Sequence, residues 1–443
     1  MRTLSSRWSL LAMAALIVGP SAARATDGHF MHGVGAIHSA MGGSGIAGTP
    51  SLLGAFYMNP AGIGAFKGSR FELGFELFKP QRSVQGTAGS FTGTTESTSD
   101  FVPIPAFGWS KSFMNDEVVL GVGGLAIGGF GVDYPTDPTN PILAPRPNGF
   151  GQVYSNFSAM KIAPAVAWNV SPALRVGAAV NVDWAALGVN PLPVAAPAFD
   201  PGPDGTPGTA DDRAYYSNAA NPDGAFGAGF QLGLQYQLTN QVALGLAYTS
   251  PQWFQKFEWN VVFENPNLPS YNTPRTVAFQ MDMPAIYGAG VTLSVSPQLT
   301  IAADAKYMDY GNTKGFKESG FDQFGTVKGF GWESIWVAAT GLEFRPTSTW
   351  ALRAGYNFAQ NPIPDALSMY NIPAPAVVQH HLTGGIGYDF SDGFGVDVAA
   401  YHVFENSITG AIVRPNGALP GTSVKNTMSE NSIGISFHLS PRR

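Results

Sequence analysis

From about residue 70 onward, apolar and polar residues alternate with a period of two, as they do in strands with one face in a nonpolar medium. The run "FGAGFQLGLQYQL" is the clearest. Phe226, Phe230, Leu232, Leu234, Tyr236 and Leu238 share one face; Gly227, Gly229, Gln231, Gly233, Gln235 and Gln237 share the other. "LRVGAAVNVDW" sets Leu174, Val176, Val180, Val182 and Trp184 against Arg175, Gly177, Asn181 and Asp183. "FGVDVAAYHVF" sets Phe394, Val396, Val398 and Phe404 against Asp397, Tyr401 and Glu405. Aromatic residues gather towards the ends of the apolar faces, where the girdles of a membrane barrel belong. The pattern predicts about fourteen strands between Phe71 and Leu439.

The breaks between these strands alternate in length. "SFMNDE", "NVSPAL", "QLTNQV", "SVSPQL", "RPTSTW" and "DFSDGF" are short; long polar segments lie near 80–100, 133–150, 190–222, 263–275, 311–329, 360–378 and 405–425. Short turns at one rim and long loops at the other predict an all-β, antiparallel outer-membrane barrel, closed so that every backbone amide has a partner. A secreted sandwich also alternates but has no reason to sort its loops by length. "SIGISFHL" places Ser432, Gly434, Phe437 and Leu439 in the order of a barrel's assembly signal, which makes the barrel-assembly machinery a partner. Residues 440–443, "SPRR", then form a periplasmic tail.

Composition narrows the classes further. Charged residues are 12% of the 443, about half the usual share. A net charge of −6 with scattered Lys and Arg argues against nucleic acid as a partner. The absence of cysteine excludes disulfides, thiolate metal sites and a Cys nucleophile. Residues 1–25 read as a secretory signal peptide: Arg2 and Arg7, the apolar run Leu10–Val18, then Ala23-Arg24-Ala25 as a small-x-small cleavage site. After them no apolar run reaches the ~18 residues of a spanning helix.

Between that signal and the first strand lie residues 26–69, Gly-rich and without a strong strand or helix pattern. "DGHFMHGVGAIHSAMGGSGIAG" followed by "NPAGIGAF" resembles the N-terminal hatch, or plug, of the FadL family of outer-membrane transporters of hydrophobic compounds. "WALRAGYNFAQNPIPD" and "HHLTGGIGYDF" are similar to the family's late strands and the loop between them. The resemblance implies a barrel of 14 strands, residues 70–439, with the hatch in its lumen. It implies a monomer in the bacterial outer membrane, in contact with lipid and lipopolysaccharide. The implied activity is passive uptake of long-chain fatty acids or of aromatic or aliphatic hydrocarbons, with no enzyme chemistry and no cofactor. Physically, a wide lumen needs a plug, and glycine reaches backbone conformations that other residues avoid.

Site residues follow from the same resemblance. Asn59, Pro60, Ala61 and Gly62 take the place of the motif that holds the hatch. Lys317, with Lys314 beside it, falls near the family's basic head-group residue on the ninth strand. The family's head-group arginine has no counterpart, because "ALGVNP" stands at the top of the fifth strand. That loss favours an uncharged or differently anchored ligand. Phe199, Trp253, Phe254 and Phe257 are candidates for an outer capture groove. The third strand, "VVLGVGGLAIGGFGVDY", carries Gly123, Gly124, Gly128 and Gly129, and glycine within a strand marks a bend or bulge. In the family an inward kink here opens the wall for lateral release; room for the hatch is the structural alternative.

Other polar residues have a structural reading. By parity Lys161, Arg175, Lys306 and Arg353 point inward with Glu72, Glu76, Asp183, Asp304 and Asp397, as a charge network around the hatch. Asp200, Asp204, Asp211 and Asp212 form either a solvated acidic loop or a structural calcium site. His380 and His381 face opposite ways on a strand, His381 inward. Two other functions remain to be separated: a gated general porin for polar solutes, and an outer-membrane lipid hydrolase, for which Ser368 is the serine nearest the histidines.

Overall fold

A computed structural model describes residues 27–48, 50–206, 213–390 and 393–440. The proposed signal peptide and residues 441–443 of the tail lie outside the described residues. The alternating segments form one closed antiparallel sheet. Its wall strands are β1 (Ser69–Ala88), β2 (Val102–Phe113), β3 (Val118–Tyr134), β4 (Val153–Asn169), β5 (Leu174–Asn190), β6 (Ala219–Gln237) and β7 (Val242–Thr249). They continue as β8 (Ile286–Ser296), β9 (Leu299–Met308), β10 (Ile335–Phe344), β11 (Trp350–Ala359), β12 (His380–Asp389), β13 (Phe394–Gly410) and β14 (Thr422–Leu439). Each strand pairs with the next, and β14 returns to pair with β1 from Leu439 opposite Phe71 to Thr422 opposite Ala88. The result is an up-and-down barrel of 14 strands. Closure gives the wall no free edge, which the bilayer demands.

Outward positions are apolar and exposed, as with Val180, Val182, Phe230, Leu232, Leu246 and Leu382. Two aromatic belts mark the interfaces. Tyr248, Tyr287, Tyr307 and Trp336 follow one another around the outer rim with ring centroids 5.1, 6.4 and 5.1 Å apart. Trp350, Tyr388 and Phe390 do the same beside the short turns, at 4.7 Å each. Tyrosine and tryptophan suit that level because one end of each ring is wet.

Two details depart from the sequence pattern. The segments near 80–100 and 405–425 are largely strand, not loop: β1, β13 and β14 run on past the rim, and Phe91–Glu96 folds back on β1. Glu405 does not share the inward face of Asp397 and Tyr401, because a register shift between Val403 and Asn406 leaves it exposed. A single bulged residue reverses every parity assignment beyond it.

Residues 27–66 fill the lumen. They form α1 (Ala36–Ala40), α2 (Leu52–Met58) and a 3₁₀ turn, Pro60–Ala65, joined by tight glycine turns. Nearly all of these residues are buried. Wall groups hold them from several sides. Asp304 of β9 accepts from the N–H groups of Gly45 (2.6 Å) and Ile46 (3.0 Å). Glu72 of β1 accepts from the Ser51 hydroxyl (2.9 Å) and Leu52 N–H (2.6 Å), at the N-terminus of α2 where a negative charge is favoured. The Lys161 ammonium of β4 donates to Phe56 O at 3.2 Å, and Thr383 of β12 to Ala40 O at 2.8 Å. The predicted inward charges are thus mostly engaged. At the end of the lumen near the short turns, Arg353 bridges Glu343 and Asp397 at 2.7 Å each, and Arg345 joins Glu343 to Asp389.

Candidate functional site

Asn59 lies between α2 and the 3₁₀ turn, and its extended backbone (φ −149°) suits a residue before proline. Its side-chain carbonyl accepts from Ala61 N–H at 3.1 Å. Its amide donates to Ile46 O at 2.8 Å within the hatch, and reaches Leu234 O and Leu246 O of the wall at 3.2 and 3.3 Å. Only glycine permits this approach: a Cβ on Gly233 would stand 1.8 Å from Asn59 Oδ1, and one on Gly177 2.3 Å from Ala61 N. The small inward positions of β5 and β6 are the mould of this turn. Asn59→Ala leaves the buried Ala61 N–H without its acceptor, at a cost of about 1–3 kcal/mol, and removes the amide's ties to Ile46 O and the wall. The expected outcome is lowered uptake by a barrel that still runs as a folded, heat-modifiable band; wild-type uptake would remove the motif's role.

Above the hatch lies a narrow apolar cavity, open in part to solvent, with Phe130, Leu187, Trp259, Phe279, Phe330 and Tyr370 on its walls. Beneath it is an aromatic cluster. Phe130 meets Phe157 at 5.0 Å and Phe330 at 5.6 Å, and Phe316 stacks on Phe330 at 5.4 Å. His29 of the hatch stacks on Phe316 at 4.8 Å, with the edge of Trp332 at 5.6 Å. Burial pushes its imidazole down to about 3, so it stays neutral. Its Nδ1 lies 2.9 Å from the Tyr310 hydroxyl. A second, narrow cavity, partly open, lies between hatch and wall. Phe30, Met31, Ile46, Ile127, Ile286 and Met308 supply its apolar lining, and Asp27, Lys161, Asn181, Gln252 and Lys306 its polar points.

The wall is interrupted beside this cavity. Pairing of β3 with β2 stops at Leu125 opposite Ala106, while β3 continues to Tyr134 against β4 with a register shift between Ala126 and Gly128. Hatch backbone takes the place of β2. Phe30 bridges Gly128, Gly129 N–H donates to His29 O at 2.9 Å, and Met31 N–H to Ile127 O at 3.4 Å. The seam closes again above, where Thr98 N–H donates to Asp133 O at 2.8 Å. A Cβ on Gly128 would stand 2.2 Å from His29 O, and one on Gly123 2.7 Å from the Phe56 ring. Gly124 faces the other way, against Phe107.

Other predicted residues are scattered. Lys314 and Lys317 are exposed in the loop after β9, with Lys317 3.6 Å from Glu318; the cations that reach the inner cavity are Lys161 and Lys306. Phe257 is fully buried, 6.4 Å from Phe157 and 6.0 Å from Trp259. Phe254 is buried against Gly227, whereas Trp253 (51% exposed) and Phe199 (44%) stand apart from the cluster. Asp200 accepts from Gly202 N–H and the Asn267 amide, and Asp204 from Thr206 N–H. Asp211 and Asp212 lie outside the described residues, and among the described residues no group of three or more His, Asp or Glu is arranged to hold a metal ion. His381 is buried and His380 exposed; the Ser368 hydroxyl donates to Val424 O. Sequence reasoning missed Phe130, Phe157, Phe316, Phe330, Trp332 and His29. Three of these lie in "KGFKES" and "KGFGWES", where isolated aromatics inside a polar, Gly-rich loop were the available signal.

The sequence profile of the family described as "Outer membrane protein transport protein (OMPP1/FadL/TodX)" matches residues 21–439. The chain belongs to this family. Solved structures with the FadL/TodX fold agree. A Pseudomonas putida toluene transporter, TodX, superposes with a TM-score of 0.70 at 20% identity, covering 93% of this chain and 100% of that one. The Ralstonia pickettii toluene transporter TbuX gives 0.66 at 20%, covering 93% and 99%. A Pseudomonas aeruginosa FadL homologue gives 0.70 at 16%, with the same coverage as TbuX. Comparison by sequence with curated proteins finds no match. As a member of the OMPP1/FadL/TodX family, the protein is an outer-membrane β-barrel that transports hydrophobic compounds.

Proposed function

We propose that this barrel admits small hydrophobic molecules passively, either hydrocarbons or fatty acids, and releases them sideways into the membrane between β2 and β3. The observation that carries this reading is the seam beyond Leu125, where hatch residues 29–31 stand in for a wall strand next to an apolar cavity. Two features support it. The outer and inner cavities are both lined mainly by carbon. Straight on towards the short turns stands the Arg353–Asp397–Glu343 network, which an apolar molecule enters only at a desolvation cost. Such a path needs only sites weak enough to leave. Cells expressing the barrel are expected to take up labelled toluene or oleate faster than cells without it. Liposomes carrying it are expected to swell no faster in sugars than protein-free liposomes; swelling at a porin's rate would overturn the reading in favour of a general porin.

A further inference from the structure

The polar atoms of the inner cavity specify more than greasiness. Gln252 Nε2 donates to Ser250 O at 2.6 Å, which fixes that amide with its oxygen towards Asn181. Asn181 therefore presents its NH₂ to Gln252 Oε1, at 2.9 Å, and its own Oδ1 is left buried without a partner. Asp27 Oδ1 is likewise buried and unpartnered. Two positions beyond Asn181 on the same inward face of β5, both carboxylate oxygens of Asp183 are in that state. The nearby cations are already engaged. Lys306 Nζ lies 2.5 Å from Asp27 Oδ2, and Lys161 Nζ donates to Gln231 Oε1 at 2.7 Å and to Phe56 O. The two ammonium groups are matched in number by the carboxylates of Asp27 and Asp183, so the site offers an anion no net positive charge. A site with surplus buried acceptors accommodates a donor.

Resting on the transport reading above, we propose that the favoured cargo is a neutral amphipath, an apolar body ending in a hydroxyl, such as a phenol or an alcohol. Its O–H donates to Asn181 Oδ1, with Asp27 Oδ1 as a second acceptor on the same cavity. A plain hydrocarbon leaves these oxygens bare, and a carboxylate adds a like charge to them.

Equilibrium dialysis of the purified full-length barrel tests this with p-cresol, p-xylene and 4-methylbenzoate, each corrected for partition into protein-free micelles. The first two are nearly isosteric. p-Cresol is expected to bind on the order of tenfold more tightly than p-xylene, the worth of one hydrogen bond to a buried acceptor. 4-Methylbenzoate is expected to bind most weakly. Asn181→Leu should erase the preference for p-cresol, and Asn181→Asp, which keeps an acceptor, should retain it. If Asn181→Leu does not fold, the wild-type ratio and Asn181→Asp decide. Equal binding of p-cresol and p-xylene, or tightest binding of the benzoate, overturns the inference and leaves the transport reading standing. Binding of none of the three overturns both.

Discussion

A disulfide between hatch and wall, made from Met31→Cys and Ile127→Cys, stops uptake when oxidised and restores it when reduced. Met31 N–H donates to Ile127 O, and Phe30 already bridges Gly128, so residues 31 and 127 stand opposite each other in an antiparallel pair. Such residues lie ~4.5–5.5 Å apart at Cα, within the span of a disulfide. Both side chains are buried and line the inner cavity, and the chain has no cysteine of its own to mispair. The bond holds shut the one stretch of β3 where hatch replaces wall. Uptake of labelled toluene or oleate should fall to that of cells lacking the barrel, while the isolated protein still binds its ligand. Undiminished uptake by the oxidised form would place the exit elsewhere.

Lys306→Met has the other large effect. The Lys306–Asp27 pair is buried on both sides at 2.5 Å, and removing one member of such a pair costs about 3–5 kcal/mol because a bare charge stays behind. The loss falls on a small unit. Asp27 and Phe30 close a turn by exchanging backbone hydrogen bonds of 2.8 and 3.2 Å, and that turn carries His29 and Phe30 onto β3. The expected outcome is release of residues 27–31: faster proteolysis there and ion conductance in planar bilayers, in a barrel that remains folded. Asp27→Leu added to Lys306→Met should restore the seal, since an apolar pair needs no counter-charge. A single variant as tight and protected as wild type would show that the pair does not hold the segment.

The wall was legible in the sequence because membrane and lumen impose opposite demands on successive residues. "FGAGFQLGLQYQL" shows its faces without help, and β3 begins and ends where its glycine-rich run does. The hatch was legible through "NPAGIGAF", whose turn needs glycines on the facing strands as well as its own. The site was harder to read. Phe157 of β4 and Phe316 of the loop after β9 meet only through His29, and no local pattern records a contact between such distant segments. Lys314 and Lys317 were placed by position in the chain; which cations turn inward depends on strand parity, which favours Lys306 on β9. The seam was signalled by the glycines of β3, yet its occupant is a backbone segment, and backbone hydrogen bonds carry no side-chain signature.

The hatch also sets an order of events in time. Ala36 N–H donates to the hydroxyl of Ser436, 400 residues on; Ala40 O accepts from Thr383 and Gly42 O from Asn357, 343 and 315 residues on. The segment synthesised before every wall strand therefore meets its last partners only when the last strands are in place. Gly-rich and without a core of its own, it cannot complete its contacts until β14 arrives, and contacts of such sequence separation form slowly. Joining β14 to β1 is then more than closing a cylinder. It completes the cage around the hatch, so a barrel still short of its last strand also holds its plug less firmly.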